Sequence, residues 1–464
     1  MEEQVDRISE LPEPVLHYIL LFLPFKQVAQ TCVLSKIWER TWRTYPVLEF
    51  GGTILKGDLC HPFRSAVVQE KRKGRLNCLE KVLRNRCMEM ISMKKFTLNM
   101  DDFGDPEFES FANRCIWFAV ERDVKELRLE FECRNNKLFK LPQSVLISGS
   151  IELLKLRSCL LELRRINIQL SSLRTLFLSH VFVDDYMIES LVSGCPLIED
   201  LGFDSCQGFN SLELYGLNRL NEVKVTKNDE LQWLNVEELN IHLLSIFWSS
   251  PEACDINVAS CKNIKDLSLN GVCMRGDWLC NLISELSILE FLSIFDCFEL
   301  ESFRISSPCL KELCLCGCRN LVEINIVAPN LHVFVYSGKI TSLSLNALAL
   351  SKIDLELHIM GFYSQWFVKC VEFLETFRSF SQVFYLRGTM DEFQFSYKKQ
   401  VVYEGQFASC CKSHPILCWQ HCIEEVKLEI IIENYDQREK NMQSYTFKGA
   451  DILEQIDALS TGFL

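Results

Sequence analysis

The sequence predicts an α+β chain in two parts: three short N-terminal helices, then a curved solenoid of stacked repeats whose strands form a parallel concave sheet. Residues 11–46 carry apolar runs at helical spacing, punctuated by proline and serine. From residue 121 an apolar pattern of short strands returns mostly every 21 to 27 residues. No uninterrupted apolar run among the 464 residues approaches the ~18 needed to span a bilayer.

Composition narrows the function classes. Lys plus Arg number 49 against 62 Asp plus Glu, a net charge of -13. That balance opposes nucleic acid, whose phosphates are held by clustered basic side chains. The 23 cysteines occur in a long chain with no signal-peptide pattern and no Asn-x-Ser/Thr sequon. A disulfide scaffold is therefore not expected; a reducing compartment, nucleus or cytoplasm, with no membrane partner, fits better.

In the first helix Pro12 and Pro14 suit the first turn and Ser9 is placed to cap it. Val15, Leu16, Ile19, Leu20 and Leu23 then recur on one face until Pro24 stops the pattern. A second short helix carries Val28 and Ala29. Ser35 caps a third, with Ile37, Trp38 and Trp42, before Pro46. So few residues bury too little surface to stand alone, which predicts association with another polypeptide.

Leu11-Pro12 leading into an aliphatic helix, Phe22-Leu23-Pro24 closing it, and Val33-Leu34-Ser35-Lys36 followed by Trp38 and Trp42 resemble the F-box of plant F-box proteins. The resemblance covers about 45 residues. It implies docking on the Skp-type adaptor of a cullin-based SCF ubiquitin ligase. The implied adaptor-binding set is Leu11, Pro12, Leu16, Ile19, Leu20, Leu23, Pro24, Val28, Leu34, Trp38 and Trp42. Ile37 stands where the family often has a basic residue.

The repeats begin at Val124, Ile151, Leu173, Ile198, Leu220, Ile264, Leu289, Leu310 and Leu331, with a weaker unit expected near Val236 inside the longest interval. This period is that of leucine-rich repeats: the fourth and sixth residues of each unit point inward and are buried only when neighbours stack. Cys159, Cys206, Cys297 and Cys318 all hold the ninth position, where a small buried side chain is favoured, so they read as packing residues. Segments from Ser211, Val322 and Ile340 read as second strands on the convex side.

The expected domains are an F-box at 1–50, a helical connector at 51–120, repeats at 121–360 and a C-terminal capping region at 361–464. The connector resembles that of plant F-box leucine-rich-repeat proteins, with Asn113, Ile116, Trp117 and Val120 on one helical face against the first repeat. Its Lys71-Arg72-Lys73-Gly74-Arg75 cluster reads as a solvated loop, with a nuclear address as the second reading. The tail, with a helix from Ser364 and a strand from Cys422, distantly resembles FBD-type regions.

Chemistry is sparse. No phosphate-binding glycine loop, H-E-x-x-H, G-x-S-x-G or C-x-x-C pair occurs. Cys410, Cys411, His414, Cys418, His421 and Cys422 match no common zinc spacing, and Cys314, Cys316 and Cys318 lie in a row, so no metal and no cofactor is expected. The predicted concave positions are basic at Arg128, Lys155, Arg157 and Lys224. They are acidic at Glu126, Glu130, Asp200, Asp204, Glu222, Glu238, Asp266 and Glu312. Toward the C-terminal end they become Phe291, Phe295, Cys314, Cys316, Val333 and Val335. That strip reads equally as a docking face for a protein target, centred on Phe291, Phe295, Val333 and Val335, or as a core covered by the C-terminal region. The expected function is a non-catalytic target-recognition subunit of an SCF-type ubiquitin ligase. The alternatives are a non-degradative scaffold, or a zinc or thiol enzyme using residues 410–422.

Overall fold

The structure, a computed structural model, describes residues 8, 10–51, 66–87, 92–101, 106–132, 137–162, 167–237, 240–248, 255–258, 260–273, 276–358, 373, 376–377, 383–389, 394–399, 425–433 and 440–448. The fold is α+β, and it divides into two units, one of residues 1–240 with 255–257 and one of 241–254 with 258–464.

The first unit opens with helices α1 (Glu13–Leu20), α2 (Phe25–Gln30) and α3 (Lys36–Thr44), with a 3₁₀ turn at Thr31–Val33. Pro12 occupies the N-cap of α1 and Pro14 its first turn, where no amide hydrogen is missed. The capping expected of Ser9 falls outside the described residues. The helix ends at Leu20 rather than Leu23, because the Phe22 and Leu23 amides turn back to Ile19 and Leu20 in a tight exit toward Pro24. Ser35 caps α3, its Oγ accepting from the Trp38 amide at 3.3 Å.

Parallel strands then stack in register: Val47–Phe50, Lys95–Asp101, Glu126–Glu132, Leu153–Arg157, Thr175–Ser179, Asp200–Asp204 and Glu222–Thr226. The sheet thus starts well before residue 121, and the connector supplies one of its strands. The connector's helices are α4 (Ala66–Cys87) and α5 (Pro106–Val120). The basic cluster lies inside α4, a helix and not a loop, with Lys73 paired to Glu107 at 2.9 Å. In α5 the buried residues are Phe108, Phe111, Ala112, Cys115, Ile116, Phe118 and Ala119, while Asn113 and Trp117 point outward. Phe108, Phe111, Ala112, Cys115 and Ala119 recur three or four residues apart, the spacing of one helix face, and Asn113 and Trp117 fall off it.

In the second unit the parallel strands are Leu243–Phe247, Asp266–Asn270, Phe291–Phe295, Glu312–Cys316, Val333–Gly338, Lys352–His358 and Val383–Thr389. The hidden repeat begins at Ile241, not Val236: Leu244 and Ile246 are its inward pair, and Trp233–Val236 is a strand of the other layer. Both segments alternate apolar and polar residues, so alternation alone could not separate them. Antiparallel strands Gln394–Lys399, Glu425–Glu433 and Lys440–Lys448 continue from the last parallel strand.

From Glu126–Glu132 to Lys352–His358 the parallel strands bury their fourth and sixth repeat residues, such as Leu127 and Leu129, Leu176 and Leu178, or Leu313 and Leu315. Full burial of one such side chain is worth about 1.5–3 kcal/mol, and stacked neighbours supply the cover. The opposite layer includes short parallel ladders at Ser211–Leu214, Trp233–Val236 and Asp255–Asn257, and again at Ser302–Ser306, Glu323–Val327 and Ser342–Asn346.

Candidate functional site

Two surfaces qualify. The first lies on the N-terminal helices. Leu16, Leu20, Val28, Trp38, Tyr45 and Val47 form one core, with Trp42 packed against it. Leu16, Leu20, Val28 and Trp38 are therefore interior residues, at most 8% exposed, and are not available to a partner. Ile19 and Trp42 are half-buried, and Leu11, Pro12, Leu23, Pro24 and Leu34 are exposed.

The unit also has support from its own chain. Val47 opens the first strand of the sheet, and α4 sends in Arg86, which is 1% exposed. Its guanidinium lies 4.4 Å from the centre of the Trp42 ring and donates to the carbonyl oxygens of Tyr45 and, at 3.4 Å, Val47. Burial pushes the group down to about 9, which leaves it protonated at neutral pH. The partner-dependence read from the small size of these helices is met in part within the chain, by Val47 and Arg86.

With the interior filled, the remaining apolar side chains stand in solvent. Tyr18, Leu21 and Phe22 cluster at the end of α1, with Phe22 72% exposed and the Tyr18 and Phe22 rings 5.2 Å apart. Val33, Leu34 and Ile37 follow around the 3₁₀ turn, at 82%, 67% and 46%. Tyr18, Leu21, Phe22, Val33 and Ile37 lie outside the adaptor-binding set that the family resemblance implies, although Phe22 and Val33 belong to the motifs that carry the resemblance.

The second surface is the outward face of the parallel sheets. In the first unit it is polar and largely self-paired. Lys95 meets Glu49 at 2.5 Å, Arg128 meets Glu126 at 3.6 Å, Lys224 pairs with Glu222, and Asn99 donates to Glu130 at 2.8 Å. Phe177 leans over Gly202, where a Cβ would lie 2.4 Å from its ring, and Lys155 sits 5.7 Å above the same ring. Glu238 lies outside the described residues. A self-neutralised face of this kind is no phosphate pocket.

In the second unit the face is less charged. The register places Phe291, Glu312 and Val333 in one row, Ser293, Cys314 and Val335 in the next, and Phe295, Cys316 and Ser337 in a third. All but Glu312 are half-buried, so the strip is a mixed surface with apolar patches rather than a continuous apolar one. Phe373 and Phe377 pack on Tyr336 and Phe334, at ring distances of 6.0 and 6.1 Å. Those partners face the interior, so these two aromatics lie on the side opposite Val333 and Val335.

The ninth-position cysteines are closed in: Cys159, Cys206, Cys297 and Cys318 are at most 4% exposed, and burial pushes the Cys206 thiol up to about 12. Among the described residues no cluster of three or more metal-ligating side chains occurs, and no helix is long and apolar enough to cross a membrane. The 410–422 cluster lies outside the described residues.

Comparison with known proteins agrees with this architecture. The F-box domain model matches residues 8–50, and the At1g61320/AtMIF1 LRR domain model matches residues 82–254 and 252–383. Similar proteins include the Arabidopsis thaliana F-box/FBD/LRR-repeat proteins At3g52680, 31% identical over 279 residues, and At4g00160, 31% identical over 281 residues. The first match covers 56% of this chain and 56% of the relative, the second 58% and 54%. F-box/LRR-repeat protein At3g03360 of the same plant is 23% identical over 328 residues, covering 69% of this chain and 63% of the relative. The chain spans about half the length of the first curated relatives it matches. With an F-box model on the N-terminal helices and a repeat model over most of the remainder, the chain belongs to the F-box/LRR-repeat protein family.

Proposed function

We propose that the chain is the target-recognition subunit of a cullin-based SCF-type ubiquitin ligase: the F-box docks on a Skp-type adaptor and the repeat face holds a protein target. The observation that carries this reading is the set of exposed apolar side chains, Phe22 and Leu34 foremost, on a helical unit whose own core is already filled. Exposed apolar surface of that kind marks a protein interface. Leu11, Pro12, Leu23, Pro24 and Leu34 would touch the adaptor together with Tyr18, Leu21, Phe22, Val33 and Ile37. Leu16, Leu20, Val28 and Trp38 would hold that surface in shape from behind.

The target face is assigned to the second unit, around Phe291, Phe295, Val333 and Val335. The protein supplies no chemistry. Tethering a target beside a ubiquitin-charged enzyme raises its effective concentration, to the millimolar range for a short flexible link.

Tagged protein captured from cells with the proteasome inhibited tests the reading. Wild type is expected to retain the adaptor, the cullin and a ubiquitylated target. Phe22→Asp with Leu34→Asp should lose adaptor and cullin but keep the target, and Phe291→Ser with Phe295→Ser should do the reverse while staying folded. Retention of cullin by the first variant refutes the docking assignment. A captured target whose half-life is unchanged when the chain is depleted favours the scaffold reading instead.

A further inference from the structure

The strand Glu312–Cys316 carries two cysteines two positions apart, so both point to the outward face of the sheet. Their Sγ atoms are 3.4 Å apart and both side chains are half-buried. The repeat does not require cysteine there. The equivalent positions are Ser293 and Phe295 on one neighbouring strand and Val335 and Ser337 on the other. The packing cysteines Cys297 and Cys318 are buried at the ninth positions of their repeats, where their thiols hydrogen-bond each other and the Cys318 thiol also reaches the Cys316 carbonyl at 3.7 Å.

We propose that Cys314 and Cys316 form a reversible dithiol–disulfide couple, closed by exchange with a small-molecule disulfide of the glutathione class. One cysteine thiolate attacks a sulfur of the small disulfide. That S–S bond breaks, a mixed disulfide forms, and the expelled thiolate takes up a proton. The second cysteine sulfur then attacks the mixed disulfide at the protein sulfur, loses its proton and expels the second small thiol. Two protein thiols and one small disulfide become one protein disulfide and two small thiols, with no other oxidant.

The geometry suits such a couple. Alternate strand residues are about 6.4–6.8 Å apart, at the upper end of the Cα span a disulfide bridges, so closure is reachable but strained. Strained, accessible disulfides are the readily reduced ones. The shared S–H···S contact holds the Cys314 thiol below the ordinary thiol range and Cys316 above it, which favours loss of the first proton. Gly317, at φ +72°, ends the strand immediately afterwards and is still tied to the neighbouring strand by its amide, which donates to the Ser337 carbonyl at 2.9 Å, so shortening at the cysteine pair is passed on to Val333–Gly338. Closure would pucker the sheet between Phe291–Phe295 and Val333–Gly338. If that face holds the target, as proposed above, docking becomes sensitive to thiol redox state.

Peptide mapping tests the couple without any target. Lys311 and Arg319 bracket a tryptic peptide whose only cysteines are Cys314, Cys316 and Cys318. The full-length protein is equilibrated with rising ratios of oxidised to reduced glutathione, alkylated and digested. The expected product has one alkyl group, on Cys318, and is two hydrogens lighter at Cys314 and Cys316. Reduction should restore three alkylated thiols, and Cys316→Ser should replace the closed form by glutathione on Cys314. Three alkylated thiols at a ratio where the exposed Cys78 is already glutathionylated would overturn the proposal, as would cross-linking to the Cys297 peptide.

Discussion

Asn228 takes the ninth position that cysteine holds in several other repeats, and it is 1% exposed. Its Nδ2 donates to the carbonyls of Phe203 and Thr226, both at 3.0 Å, and its Oδ1 accepts from the Cys206 amide at 2.8 Å. One side chain thus satisfies backbone groups at the turn between two repeats. Asn228→Ala leaves a buried donor and acceptor unpaired and should cost about 2–3 kcal/mol in urea unfolding; a loss below ~0.5 kcal/mol would contradict the assignment. His17 offers a pH test. Its Nε2 lies 3.2 Å from the Thr41 carbonyl and from Thr44 Oγ1, and burial lowers its pKa against the opposing pull of Thr41 and Glu13. A histidine whose folded pKa lies below its unfolded value is held neutral by folding. The helical unit should therefore lose stability as pH falls through about 6.5 toward the lower folded value. His17→Gln should flatten that slope, and an unchanged slope would contradict it.

The repeat as an element carries a backbone signature that its composition conceals. Ser158, His180, Ser205, Lys227, Gly271, Asp296 and Gly317 all hold the eighth position, and all have φ between +49° and +72°. The left-handed turn that ends each strand costs an L residue about 1–2 kcal/mol and glycine nothing. His180→Gly should therefore raise stability by about 0.5–1 kcal/mol, net of glycine's greater unfolded-state entropy. Gly271→Ala is the opposite case. A Cβ there would lie 2.1 Å from the Trp248 carbonyl oxygen, so a loss of about 2 kcal/mol or more is expected in the same measurement. The turn was hard to read because five unlike residue types occupy it. What was legible was the inward pair of each unit, since apolar residues at fixed spacing mark a strand wherever it stacks. Where apolar residues surround a short helix, spacing no longer selects the buried side. In α1, Leu16 and Leu20 go inside while Val15 and Tyr18 stay out, and in α5 Phe111 and Cys115 are buried while Trp117 is exposed.

For the whole molecule, the order of parts was plain from the chain: proline-bounded helices, then repeats, with the net negative charge of -13 setting phosphate recognition aside. The place where the helices end and the sheet begins was not, because Val47–Phe50 and Lys95–Asp101 lack the full repeat pattern and acquire strand structure through pairing. The candidate docking surface was half legible. Its exposed residues lie between the buried ones on the same short helices, and only packing distinguishes them. Contacts in a repeat array run mainly between neighbours, so damage should stay local. Hydrogen exchange should show Asn228→Ala loosening the strands around residues 200–228 and Gly271→Ala those around 246–295, each sparing the other unit. The most direct test of the central claim is titration of the full-length chain with purified Skp-type adaptor, followed calorimetrically. Saturable binding by wild type that falls at least ~100-fold for Phe22→Asp with Leu34→Asp, with folding intact, is the predicted result. Equal affinity for the two proteins, or no binding by wild type, would contradict it.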